Sequence, residues 1–165
     1  MTRRFIVGVM GPGEGADQEA VTFARRLGGL IAEEGWVVLS GGRDVGVMHA
    51  VNEGAKQVDG SLTIGILPAA QSRASPYIDI VIVTDMHNAR NNINVLSSDV
   101  VIACGKGGTG TTSEIALALK AGKTVILLGA DPDACSFFRK LGRDHVYVAK
   151  SPSEAIEMVK RLKGK

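Results

Sequence analysis

The sequence predicts an α/β fold of the doubly wound kind, a mostly parallel sheet with helices on both faces. Three observations predict it. Short apolar runs alternate almost strictly with stretches of helical period. The runs are apolar throughout rather than alternating, which suits strands buried on both faces of a parallel sheet. Glycine-rich turns follow three of them, at 11–15, 41–46 and 105–110, and ligands of open α/β sheets bind at the carboxyl ends of strands.

The elements follow in order. Residues 5–10 form the first strand. Residues 16–34 form a helix with Val21, Ala24, Leu27, Leu30 and Ile31 on one face. Gly35 stops it, as a residue that tolerates positive φ. Residues 36–39 make the second strand, 45–58 the second helix and 62–67 the third strand, halted by Pro68. Residues 71–76 read as a polar loop that suits a lid, and 78–83 as the fourth strand. A helix is expected over 86–97, a strand over 100–104, and a helix over 111–121 closed by Gly122. Asp131-Pro132-Asp133 reads as a turn after the strand 124–128, and a short helix is expected over 134–141. A last strand, 145–149, leads to a helix over 152–162 with Ser151 as N-cap and Pro152 in its first turn.

The 165 residues fit a single domain, 1–165. Aromatic residues make up 4% and the net charge is +2. Both argue against a nucleic-acid partner read by base stacking. Cys104 and Cys135 share no metal-ligand spacing. No metal is expected, and the absence of a disulfide framework fits a cytoplasmic setting. The N-terminal apolar run is short and ends in a Gly/Pro turn, so it reads as a strand rather than a signal peptide. No run reaches the roughly 18 apolar residues of a membrane span.

The turn Gly105-Lys106-Gly107-Gly108-Thr109-Gly110-Thr111-Thr112-Ser113-Glu114 carries the strongest chemical signal. Its glycines let backbone N–H groups approach a ligand, and the start of the next helix favours an anion. Gly105, Gly107 and Gly110 match the dinucleotide pattern G-x-G-x-x-G, but on the fifth strand rather than the first. Gly105 and Gly110 have P-loop spacing, yet Thr111 stands where the phosphate-neutralising lysine belongs. ATP is therefore disfavoured, and a single phosphate suits the turn. Thr111-x-x-Glu114 is also a capping box, which leaves Glu114 either a helix cap or a functional carboxylate. On the helix before it, Met86, Ala89, Ile93 and Leu96 form the apolar side, and His87, Arg90 and Asn94 a polar stripe aimed at a ligand. Arg43, after Gly41 and Gly42, is placed to clamp a phosphate.

The motif from Gly107 to Glu114 resembles the P-G-G-x-G-T-x-x-E signature of the Lonely Guy phosphoribohydrolases, once labelled lysine decarboxylase-like, with Lys106 in place of proline. Gly41-Gly42-Arg43-Asp44-Val45-Gly46-Val47-Met48 is similar to that family's G-G-G-x-x-G-L-M segment. The family's M-x-x-R-K signature reads here Met86-His87-Asn88-Ala89-Arg90-Asn91, with the arginine one residue later and no lysine. This variant looks more like the molybdenum-cofactor-carrier branch of the same Rossmann-like superfamily.

The resemblance implies a phosphorylated nucleotide-like or pterin ligand, such as the molybdenum cofactor. Its phosphate would lie on Gly107, Gly108, Thr109, Gly110, Thr111 and Thr112. Its heterocycle would lie toward the turn 11–15, with Gly11 and Gly13, and the helix carrying Arg90, with Gly41, Gly42, Arg43 and Met48 on the neighbouring turn. It implies homo-oligomers, dimers or tetramers. The alternative is hydrolysis of a nucleoside 5′-monophosphate to base and ribose 5-phosphate, with Glu114 and Arg90 as catalytic residues. A single-stranded-DNA-binding member of the superfamily is a third reading, weakened by the low aromatic content.

Overall fold

The computed structural model describes residues 3–164. Seven strands form one all-parallel sheet in the order β4-β3-β2-β1-β5-β6-β7. They are β1 (Ile6–Met10), β2 (Val37–Ser40), β3 (Leu62–Leu67), β4 (Ile80–Val83), β5 (Val100–Cys104), β6 (Thr124–Leu128) and β7 (Val146–Ala149). The helices between and after them are α1 (Gln18–Glu33), α2 (Gly46–Ala55), α3 (Arg90–Leu96), α4 (Thr109–Lys120), α5 (Pro132–Gly142) and α6 (Pro152–Lys163). This is the expected doubly wound α/β fold.

Two apolar layers sandwich the sheet. On one face Leu27 and Ile31 of α1, Val51 of α2 and Ile156 of α6 pack on Val7, Val9 and Ile102. On the other, Val95 of α3, Ile115 of α4 and Phe138 of α5 pack on Met10, Val101 and Leu127. The α1 and α2 backbones nearly touch. A Cβ on Gly28 would lie 1.9 Å from the Val51 carbonyl oxygen, and one on Gly54 1.8 Å from that of Arg25.

The strand order reverses direction between β1 and β5, which pair from Val7↔Val100 to Met10↔Ala103. Chains leaving the carboxyl ends of these two strands diverge to opposite faces and open a crevice there. The turns after β1, β2 and β5 all reach it.

Several boundaries differ from the sequence reading. Asp85 and His87 adopt left-handed backbone, φ 53° and 49°. The helix expected from residue 86 therefore opens with a 3₁₀ turn, His87–Ala89, and α3 proper begins at Arg90. The Asp131-Pro132-Asp133 turn is a helix start: Asp131 caps α5, accepting from the Ala134 N–H at 2.8 Å, and Pro132 is the first helical residue. The doubly buried reading of the fourth strand does not hold. β4 is a sheet edge, and Ile80, Val81, Ile82 and Val83 are 42–51% exposed.

Candidate functional site

A cavity of about 330 Å³ opens at the crevice between β1 and β5, a volume suited to a small molecule. Gly11, Pro12, Gly13 and Glu14 of the β1–α1 turn form one wall, with Gly41 and Met48 from the β2–α2 unit. Opposite lie Asn88, Arg90 and Asn91, and α4 contributes Gly108, Thr109, Gly110, Thr111 and Glu114.

The α4 end of the cavity presents unpaired backbone donors. The helix starts at Thr109, with Gly108 as N-cap and no side-chain cap. The N–H groups of Thr109, Gly110 and Thr111 therefore have no intrahelical acceptor, and the helix dipole adds positive potential. Gly108 and Gly110 are not glycines for packing. Neither has positive φ, and a Cβ on either would meet nothing within 4 Å. Side chains there would fill open space beside the free N–H groups.

The helix start also removes the capping reading of Glu114. The capping box is not formed, because α4 begins two residues before Thr111 and Glu114 lies deeper in the helix. The residue is 6% exposed, and Oε1 accepts from Asn94 Nδ2 at 2.8 Å and Arg90 Nη1 at 3.5 Å. Oε2 has no hydrogen-bond partner among the described residues. Burial pushes the Glu114 pKa up, while Asn94 and Arg90 oppose it. A working capping arrangement occurs at α6 instead. There Ser151 Oγ accepts from the Glu154 N–H at 3.2 Å, and Glu154 reaches back to the Lys150 N–H at 2.7 Å.

Arg90 is buried and lies against Gly41, whose missing Cβ would sit 2.9 Å from both terminal guanidinium nitrogens. Its Nη1 donates to Asn91 Oδ1 at 3.1 Å, but its buried Nε has no partner. Burial lowers its pKa, Glu114 opposes this, and the positive charge of Arg43 lowers it further. The helix face expected to be apolar is inverted. Arg90, Asn91 and Asn94 are buried, whereas Met86 and Leu96 are about half exposed, at 50% and 51%. His87 is exposed and lies outside the cavity.

Of the predicted ligand residues, Gly11, Gly13, Gly41, Met48, Gly108, Thr109, Gly110, Thr111, Arg90 and Glu114 come together here. Gly107 and Thr112 do not. They line a small void of about 30 Å³ behind the turn, beside Phe138. Gly42 packs on β3, where a Cβ would approach Gly65 Cα to 3.0 Å. Arg43 stands at the rim and lines a neighbouring cleft. The expected lid is strapped down: Asp44 N–H bonds Arg73 O and Ser75 N–H bonds Gly42 O, each at 3.0 Å. Asn88, Asn91 and Glu14 of the 11–15 turn line the cavity as well. Asn88 and Asn91 belong to a run of asparagines unusual for a helix, which was the available signal. Glu14 had none beyond its place in a glycine-rich turn.

The profile of the SLOG cluster4 family matches residues 4–156. An uncharacterized protein of Archaeoglobus fulgidus is 50% identical over 122 residues, covering 74% of this chain and 78% of that one. The molybdenum cofactor binding protein of Rippkaea orientalis is 53% identical, with a TM-score of 0.94 over 98% of this chain and 99% of that one. The molybdenum cofactor carrier protein of Chlamydomonas reinhardtii is 48% identical, with a TM-score of 0.94 over 99% and 100%.

Proposed function

The chain belongs to the SLOG cluster4 family, within the Lonely Guy and lysine decarboxylase-like Rossmann superfamily, and from that membership we propose that it binds and carries the molybdenum cofactor, a phosphorylated pterin. The observation that carries this reading is one pairing. The uncapped start of α4 faces the same cavity as Arg90, a buried cation whose Nε has no partner. Two solved cofactor-binding proteins of nearly identical length and fold support it.

In this arrangement the phosphate accepts from the N–H groups of Thr109, Gly110 and Thr111, with Arg90 adding charge. The pterin ring lies between the turn 11–14 and Met48 on one side and Asn88 and Asn91 on the other. Asparagine amides suit it, since the ring edge carries both donors and acceptors. Glu114 Oε2 takes one ring N–H. Gly108 and Gly110 leave the room that side chains would take. When bound, the cofactor supplies the metal and its ligands, and these residues hold, orient and shield it.

Hydrolysis of a nucleoside 5′-monophosphate is the second reading, favoured by the free Oε2 of Glu114 in the cavity. Two features weigh against it. Glycoside hydrolysis draws on a pair of carboxyl groups, and of the two that line the cavity Glu14 is engaged by Arg43 at the exposed rim. Burial also disfavours the ionised form of Glu114 that an oxocarbenium-like centre needs.

The test has two arms. Equilibrium dialysis against the molybdenum cofactor measures binding, and incubation with nucleoside monophosphates followed by chromatography measures free base. Cofactor binding without base release is expected. Release by the wild type but not by Glu114→Gln overturns the carrier reading.

Homo-oligomers are part of the same proposal. The exposed strip of β4 with Met86 and Leu96 offers an apolar sheet edge, which proteins ordinarily cover or blunt.

A further inference from the structure

Two arginine–glutamate pairs face the cavity, and they differ in kind. Arg90 and Glu114 are both buried and fixed by Asn91 and Asn94. Arg43 and Glu14 meet at the rim in water. Arg43 Nη1 donates to Glu14 Oε2 at 3.1 Å, and Nη2 also contacts Oε1. The Glu14 side chain is 70% exposed.

Glu14 is a wall of two spaces at once. It lines the cavity and also a second cleft of about 410 Å³, whose other walls are Arg43, Asp44, Val45, Gln71, Ser72 and Arg73. Arg73 closes the far side, its Nε 2.8 Å from Asp44 Oδ2. Asp44 also holds His49 Nδ1 at 2.6 Å, so the cleft wall is braced from behind. The Arg43–Glu14 pair is the partition between the two spaces.

We propose that Glu14 stands in for an anionic group of the ligand, and that the cleft between Arg43 and Arg73 is a second anion subsite. A ligand with two acidic groups would set its first on α4. Its second would displace Glu14 from Arg43 and reach into the cleft. This rests on the reading that places the phosphate at α4. The chemistry suits an acidic extension of that ligand, such as a further phosphate.

Three observations support the exchange. An exposed ion pair is screened by water and holds little energy against a competing anion. The Glu14 side chain has room to swing although its turn is pinned by Val47 N–H on Pro12 O at 3.0 Å, because the side chain is 70% exposed. Hydrogen bonding to Arg43 holds the Glu14 pKa below its ordinary range, so Glu14 is the anion that occupies the guanidinium at neutral pH.

The probe is inorganic phosphate, titrated at pH 7 while NMR follows two sets of signals. One is the Arg43 Nε–H, and the other the amides of Gly108, Thr109, Gly110 and Thr111. Glu14→Gln is expected to lower the phosphate midpoint at Arg43 about tenfold, the gain of one charge-assisted hydrogen-bonding site. Arg73→Gln is expected to raise that midpoint several-fold. The amide midpoint should stay put in Arg73→Gln, whose side chain lines only the second cleft. An Arg43 signal that ignores phosphate, or that responds equally with Arg73 and with Gln at that position, overturns the second subsite. Silent amides beside a responsive Arg43 overturn the α4 reading instead and leave the cleft standing.

Discussion

The Asn94 side chain donates a 2.8 Å hydrogen bond to Glu114 Oε1, joining α3 to α4 at the floor of the cavity. Without it, the only donor left to that buried carboxylate among the described residues is Arg90 Nη1 at 3.5 Å. Asn94→Ala is therefore expected to destabilise the fold by about 1–3 kcal/mol, the cost of stripping a partner from a buried charged acceptor. Urea unfolding at pH 7 measures it. A loss below about 0.5 kcal/mol would mean that the carboxylate finds water instead.

Glu114 gives stability a pH dependence of definite sign. Its folded-state pKa lies above the ordinary 4.5, because burial penalises the carboxylate more than Asn94 and Arg90 favour it. The folded chain holds this proton more tightly than the unfolded chain. Stability from Glu114 therefore rises as pH falls from neutral through its raised pKa toward 4.5, and is lost on the way back up. Asp79 acts in a separate window. Burial pushes it up, but Lys56 and Thr63 bring it below 3.8, so its contribution fades only as pH falls through that lower value. Urea midpoints of wild type and Glu114→Gln, compared from pH 7 to pH 4.5, should converge or cross in favour of wild type as pH drops. A constant difference would refute the assignment.

Two glycine substitutions separate fold from site. Gly28→Ala drives a methyl into the Val51 carbonyl at 1.9 Å, backbone against backbone. About 3 kcal/mol or more of destabilisation is expected, at the upper end of overpacking costs, with a lower thermal midpoint. Gly41→Ala meets Met48 Sδ at 2.7 Å and the Arg90 guanidinium at 2.9 Å. Met48 can yield, but Arg90 must move from its place. Cofactor affinity should fall at least tenfold while the thermal midpoint shifts only a few degrees. Equal loss of stability in both variants would remove Gly41 from the site.

The cysteines should differ in reactivity. Burial, with a smaller effect of Asp17, pushes the Cys104 thiol up to about 12. Cys135 is half-buried and raised less, with Arg139 opposing. Because the thiolate is the nucleophile, iodoacetamide at pH 8 should label Cys135 in the native protein and Cys104 only after denaturation. Native labelling of Cys104, read by peptide mass, would contradict its burial.

The proposed assembly is testable at β4. Ile82→Lys places a charge in the exposed apolar edge and should shift the sedimentation coefficient toward the monomer. A wild type that is already monomeric at micromolar concentration would end that proposal.

Much of this fold was legible, and the misses have physical causes. Apolar runs marked every strand, because doubly buried strands have no other composition open to them. The same run at Ile80–Val83 misled, since composition does not say whether a strand has a neighbour on both sides. The Thr111-x-x-Glu114 pattern was compatible with a cap or with a buried carboxylate. Only the helix start at Thr109 decides between them, and glycine and threonine leave that start unmarked. On α3 the polar stripe turned inward because it lines a cavity, where buried amides and a guanidinium find one another. Amphipathic reasoning assumes that the polar side faces solvent. The glycine-rich turn that lines the cavity was readable from its composition, whereas the pairing of Glu14 with Arg43 came from spatial adjacency alone.

The sheet order has a consequence for synthesis. β1 is made first yet ends at the centre, and its second edge waits for β5, from Val7↔Val100 to Met10↔Ala103. On the ribosome, β1, α1, β2, α2 and β3 can assemble into a half-sheet while that edge stays unpaired. Such distant pairing is slow to form. Every wall of the cavity from Asn88 onward arrives with the second half. A bound ligand thus bridges the early and the late half of the chain, and its capture certifies that the seam between them has closed.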